Sequence, residues 1–402
     1  MNLPEIKRIG DVFLLFWQTE GIKVSVDHIF EDVRGVVAEL ALSQNTRGEN
    51  QHIYNAKINL LSPTAKEHLA KVLARYGQRD WQSMIEQLSV LTMRKYREGE
   101  PVIQVGNLPQ REKPKYFLFP YLLEGAITTI FGYGESGKSY LATLLAVLVQ
   151  NGISSLGLNP RMKGNVLYLD WEASAYMVDE RVKALVAGLE IKIPQYPFYK
   201  RCSQPFAQSI TEIQKEVLNK NIQVVIIDSV GMALSAKGDY HTSALELMRA
   251  ARSLGTPVLC IDHKPKGEDK IFGSIYKENE TRSAFEIIAT HTAGEPILEM
   301  AVHHRKVNDA MRTKPRGFRF EFSGEDIPEK VMVTTLDLTK VRELVKTLPL
   351  KDQIVSVLRE GKQSAADLAI ELGHDNDRSI HTTLYRYKDT FQKCGKEWGL
   401  LS

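Results

Sequence analysis

The chain has only three cysteines, at 202, 260 and 394, far apart and in no CxxC pair. That spacing excludes a disulfide framework or a zinc knuckle, and it suits a reducing compartment. No sign of charge dominates: Lys and Arg number 52 against 49 Asp and Glu, a formal net charge of +3. A balance so near zero neither requires nor forbids a nucleic-acid partner, because local patches matter more than the sum. Long apolar runs are missing too. Residues 13–17 are apolar but short, and 141–149 is about half of what a bilayer span needs. The first residues lack the basic, apolar and small-residue order of a secretory leader. A soluble, cytoplasmic protein without membrane contact is the expectation. No internal repeat or low-complexity tract stands out.

What is present divides into three. At roughly 150 residues per domain, 402 residues suggest two or three domains. Residues 1–107 mix strand patterns (33–43 and 52–61) with amphipathic helical patterns (62–75 and 81–96), which predicts a small α+β accessory domain. Residues 108–116, polar and basic with two prolines, read as a linker. From 117 to 340 apolar strand-like runs alternate with helical stretches. The runs 127–131, 165–170, 197–202, 224–229 and 258–262 are separated by helices at 137–150, 175–188, 209–219 and 243–254. Continuous apolar strands joined by helices predict an α/β domain with a mostly parallel sheet covered on both faces. The runs 297–303, 318–322 and 331–336 read as further strands at one edge. Residues 345–402 show helix, turn, helix, helix, hairpin, the order of a winged helix-turn-helix; Ser364 and Asp367 have capping-box spacing.

The sharpest motif is Gly132, Tyr133, Gly134, Glu135, Ser136, Gly137, Lys138 and Ser139, which fits GxxxxGK[ST], with Tyr140 next in the following helix. Glycines let successive backbone N–H groups turn inward around a phosphate, and the helix that follows aims its positive dipole end at the anion. Lys138 is expected to balance charge on the β- and γ-phosphates, and the Ser139 hydroxyl to ligate Mg²⁺. ATP and Mg²⁺ are therefore the expected ligands.

Three strand ends carry the other candidates. The run 224–227 is apolar and ends in Asp228, which places a carboxylate beside the phosphate loop as a second Mg²⁺ ligand. The run 166–169 ends in Asp170, Trp171, Glu172. Glu172 is the candidate base for the attacking water, with Asp170 the fallback. The run 258–261 ends in Asp262, His263, Lys264; His263 either contacts the γ-phosphate or only caps its strand.

With these residues in order, the central region resembles the RecA-like ATPase core, and within it the RepA-type hexameric replicative helicases of plasmids and related AAA-family ATPases of mobile elements. The similarity takes in Leu122 to Gly125, the phosphate loop, Tyr168 to Ser174, Asp228 and Ser229, Asp262 to Lys266, Gly273 and Ser274, Arg282 and Ser283, and His304 to Asn308. It covers about half the chain. Tyr133 and Glu135 depart from the small residues common in such loops. The resemblance implies that Glu172 is the catalytic base, that His263 meets phosphate, and that Arg305, Lys306 or Arg282 reaches a neighbouring subunit's site. It also implies a homo-oligomer, a hexamer above all, that moves on single-stranded DNA.

Two surfaces are candidate DNA contacts. Lys264, Lys266, Lys270 and Lys277 sit on one loop after a strand, next to a second loop at 231–241; both would face a central channel in a ring. Arg378, His381 and Arg386, with Lys388, lie on the third helix of the C-terminal module, where a duplex or a protein partner would dock, and Lys393 and Lys396 lie in its hairpin. The expected activity is an ATP-driven helicase, with an ATP-switched DNA-binding regulator or loader as the alternative.

Overall fold

The computed structural model describes residues 2–46, 49–99, 102–110, 115–236, 239–264, 275–291, 294–308 and 310–401. The first elements are β1 (Glu5–Ile9), β2 (Val12–Trp17), β3 (Ile22–Asp32), β4 (Gly35–Thr46), β5 (Glu49–Asn59), α1 (Pro63–Leu73) and α2 (Trp81–Glu98). The five strands form one antiparallel sheet in sequential order. The period-2 pattern is visible in β4, where Val36, Ala38, Leu40 and Leu42 are all buried on one face. That face receives α1 and α2 through Leu69, Leu73, Trp81, Met84, Ile85 and Leu88. Side-chain oxygens start both helices: Ser62 accepts from the Ala65 N–H at 3.3 Å, and Asp80 from the Ser83 N–H at 3.1 Å. The sequence pattern shows β4 and β5; the structure adds β1 to β3, with the apolar run 13–17 lying in β2.

The central region opens with a small pair, β6 (Tyr116–Leu118) and β7 (Leu122–Leu123), then β8 (Ile127–Gly132), α3 (Lys138–Asn151), β9 (Asn165–Asp170), α4 (Ala175–Gly188), β10 (Phe198–Arg201), α5 (Ile210–Asn219), β11 (Ile222–Asp228), α6 (Val230–Ala233), α7 (Tyr240–Ser253), β12 (Val258–His263), α8 (Ile275–Glu280), β13 (Ser283–His291), β14 (Ile297–Val307), β15 (Arg316–Ser323) and β16 (Lys330–Leu336). The nine-stranded sheet runs β10-β9-β11-β12-β8-β13-β14-β15-β16. The strands from β10 to β13 are parallel to one another, and β14 to β16 continue antiparallel. One face packs under α3 and α4, the other under α5 and α7. The α/β expectation holds, with the edge strands as foreseen. The addition is β13, a parallel neighbour of β8 that the sequence reading left unassigned.

The last elements are α9 (Arg342–Val345), α10 (Leu350–Leu358), α11 (Ala365–Glu371), α12 (Arg378–Arg386), β17 (Phe391–Cys394) and β18 (Glu397–Leu400). They enclose their own core of Ile354, Leu358, Leu368, Ile380, Leu384, Phe391 and Trp398. The Ser364 hydroxyl accepts the Asp367 N–H at 3.2 Å and donates to the Asp367 carboxylate at 2.6 Å, as the capping spacing predicts.

Candidate nucleotide site

Parallel register brings the candidates to one edge. His263 pairs with Gly132, and Asp228 with Asp170, so the loops after β8, β9, β11 and β12 leave the sheet side by side. This carboxyl edge is where open α/β sheets hold ligands.

The phosphate loop crosses from β8 to α3. Gly137 sits at φ +78° just before the helix, and a Cβ there would lie 2.4 Å from a Leu298 methyl carbon. A Cβ on Gly132 would meet the Ile287 carbonyl at 2.6 Å. Both glycines are sterically required, whereas Gly134 faces open space. Lys138 is buried inside the loop. Its ammonium donates to the carbonyls of Tyr133 at 2.6 Å and Gly132 at 3.1 Å, and Ser136 donates to the Tyr133 carbonyl at 2.8 Å. Burial pulls the Lys138 ammonium below its ordinary range, against the opposing charges of Asp228, Glu172 and Asp262. Glu135, at φ +61°, and Tyr133 are exposed at the loop's tip.

Asp228 is buried at the end of β11 and accepts a 2.6 Å hydrogen bond from the Tyr168 hydroxyl, and the Ser139 hydroxyl also favours its charged form. Burial raises its carboxyl; the two hydroxyls and the charge of Arg181 oppose that rise. Asp170, the fallback base, is spent locally. One oxygen accepts the N–H groups of Glu172 at 2.8 Å and Ala173 at 2.9 Å, and the other faces the Tyr199 hydroxyl at 3.3 Å. Those bonds fix the turn that presents Glu172, whose side chain is half exposed. Glu172 accepts a short hydrogen bond from the Ser229 hydroxyl, and its Oε1 is 3.7 Å from His263 Nε2. The structure therefore gathers Lys138, Ser139, Asp228, Glu172 and His263.

The remaining candidates lie elsewhere. Arg305 donates to Glu286 at 2.7 Å, and Lys264 pairs with the same carboxylate at 2.8 Å while its ammonium lies 5.5 Å from the Tyr133 ring centre. Lys306 is half-buried on β14, and Arg282 lies at the opposite sheet edge, its N–H on the Ile127 carbonyl. Tyr140 packs against Phe320 and Phe322 under the Arg181 guanidinium, which places its ring in the core. Lys277 corrects the reading of its loop. It is 2% exposed, 2.8 Å from Asp262 and over the Tyr240 ring, so it has no free charge for a phosphate backbone. Lys266 and Lys270 lie outside the described residues. On α12, Arg378 and Arg386 are exposed, and His381 leans on Asp377 at 3.4 Å and stacks on Tyr385.

Sequence reasoning missed two features. Arg181, on α4 outside every motif, lies over the Tyr140 ring, and its charge favours the ionised form of Asp228. Next to α3 lies a 430 Å³ pocket walled by Tyr168, Tyr176, Tyr196, Phe198 and Tyr199, with Asp179 at its rim. Its aromatics come from β9, α4, β10 and the segment before β10, so no linear pattern announces it.

Residues 97–269 match the family model of an AAA domain, under half of the chain. None of the curated proteins matches. Among solved structures, the chain is similar to a KaiC-like protein of the hyperthermophilic archaeon Pyrococcus horikoshii OT3, at 16% identity and a TM-score of 0.39, over 54% of this chain and 93% of that one. The AAA-domain match and the sheet with its phosphate loop support a RecA-like P-loop ATPase. Among the described residues, no helix is long and apolar enough to cross a membrane.

Proposed function

We propose that the protein hydrolyses ATP at the Gly132 to Ser139 loop and uses the cycle to move on single-stranded DNA as a ring-forming motor, in the manner of a replicative helicase. The observation that carries the hydrolytic reading is the convergence of Glu172 and His263, 3.7 Å apart, at the sheet edge that also holds Lys138 and Asp228. The donor set fits a magnesium nucleotide: a loop hydroxyl on a buried carboxylate, a buried lysine in a glycine cradle, and an acid outside them. Ser139 and Asp228 would hold Mg²⁺, which supplies charge neutralisation on the phosphate oxygens. Lys138 leaves its two carbonyls for the β- and γ-phosphates. Glu172 takes a proton from the water that attacks the γ-phosphorus, Ser229 orients that carboxylate, and His263 donates to the phosphate oxygen that gains charge. The aromatic pocket beside α3 seats the base.

DNA contact is proposed for Lys264, Lys266, Lys270, Arg378, His381 and Arg386, a winged-helix role for the C-terminal module, and a hexamer for the ring. Arg305, Lys306 and Arg282 remain the residues proposed to act across a subunit boundary. The test is strand displacement on a forked duplex at several salt concentrations, with Lys138→Ala as control. ATP-dependent displacement that Lys138→Ala abolishes supports the motor. ATP-dependent DNA binding without displacement favours the switched regulator or loader instead.

A further inference from the structure

The metal carboxylate is held by a group outside every motif. Tyr168 pairs in register with Ile226, two residues before Asp228, so the tyrosine and the aspartate are diagonal neighbours on one face of adjacent strands. That diagonal is within reach of an aromatic side chain with a hydroxyl at its tip, and here the phenol oxygen lies 2.6 Å from Asp228 Oδ2. The Tyr168 ring is 2% exposed, so water has little access to replace the bond. We infer that Tyr168 is a positioning residue for the metal site: its phenol fixes the orientation in which Asp228, together with Ser139, faces a divalent cation.

The division of labour on Asp228 argues for this role. Tyr168 holds Asp228 at hydrogen-bond distance, and Ser139 is the second hydroxyl that favours its charged form. When Ser139 turns its oxygen to a cation it ceases to serve the carboxylate in the same way, whereas the Tyr168 phenol is held by β9 and stays. Phenylalanine in its place would fill the same space and leave a buried carboxylate free to rotate and short of a donor. The same ring walls the aromatic pocket, so one side chain touches both the proposed base seat and the metal acid.

The inference rests on the reading of this site as a Mg²⁺-dependent ATPase, and the experiment separates the two. Full-length wild type, Tyr168→Phe, Asp228→Asn and the double variant are compared by melting temperature, by Mg²⁺ titration of ATP turnover, and by affinity for a fluorescent ATP analogue with and without Mg²⁺. Tyr168→Phe should raise the half-saturating Mg²⁺ concentration about 10-fold, the lower end for loss of an outer partner of a metal ligand. The double variant leaves no buried carboxylate unpaired, which guards against misfolding of the single one, and should match Asp228→Asn in metal dependence. An unchanged Mg²⁺ requirement in folded Tyr168→Phe, or a further loss in the double variant beyond Asp228→Asn, overturns the role of Tyr168 alone. A wild type whose nucleotide binding ignores Mg²⁺ overturns the ATPase reading and this inference with it.

Discussion

Glu172 Oε1 and His263 Nε2 lie 3.7 Å apart, although their strands, β9 and β12, are separated by β11. Each residue follows or ends a parallel strand at the same edge, so contact follows from the sheet order and not from nearness in sequence. An acid with a hydroxyl partner on one side and an imidazole on the other has the environment of a base with a nearby phosphate sensor.

Replacing Glu172 with Gln should keep nucleotide affinity and lower turnover by at least about 10²-fold, the low end for a general base. Single-turnover ATP hydrolysis beside analogue binding checks it. Normal turnover would remove Glu172 from the chemistry, and Asp170 cannot take the part while it holds two backbone N–H groups.

Gly137→Ala should destabilise the protein by about 1–3 kcal/mol, because the residue needs a left-handed backbone and its Cβ would press on Leu298 and Met300. Gly134→Ala, with open space around it, should cost far less. Denaturant midpoints of the two variants make the comparison, and equal midpoints would contradict it.

Lys277→Met should cost about 3–5 kcal/mol by leaving Asp262 buried and unpaired. Burial alone lowers the Lys277 ammonium, but Asp262 and Tyr240 more than reverse that, so it is charged in the folded chain. A variant of unchanged stability with weakened DNA affinity would return Lys277 to the surface.

His303 and His304 are buried on β14, and burial holds both down to about 4 against an ordinary value near 6.5. The unfolded chain takes up their protons first as pH falls. The stability they protect is therefore complete above about pH 6.5 and is lost progressively toward pH 4, on the order of 1–3 kcal/mol each. Urea denaturation at pH 7.5 and pH 5 should show the drop, and His303→Gln with His304→Gln should flatten it. Equal stability of the wild type at both values would refute the assignment.

Much of the site was legible in the sequence because its chemistry is tied to chain geometry. A phosphate loop needs glycine at the left-handed position before its helix, here Gly137, and lysine and serine at the helix start, and carboxylates at strand ends follow apolar runs. The helices α3, α4, α10 and α11 and most central strands carry their periodicity in full view, and Ser174 and Ser364 cap α4 and α11. The sequence pattern puts Lys388 on the third C-terminal helix, but α12 ends at Arg386 and the chain at 388 already turns toward β17.

Sequence alone determined that this protein has a phosphate-cradling loop, acids at the ends of buried strands, and a sheet of the α/β kind, because those depend on local sterics and on alternation along the chain. Only the tertiary structure decided that Asp170 serves the backbone while Glu172 stays open, that Lys277 is buried in an ion pair, and that the Tyr168 hydroxyl meets Asp228. Which groups meet across neighbouring strands depends on strand order and register, and these are set by the packing of the whole sheet against its helices.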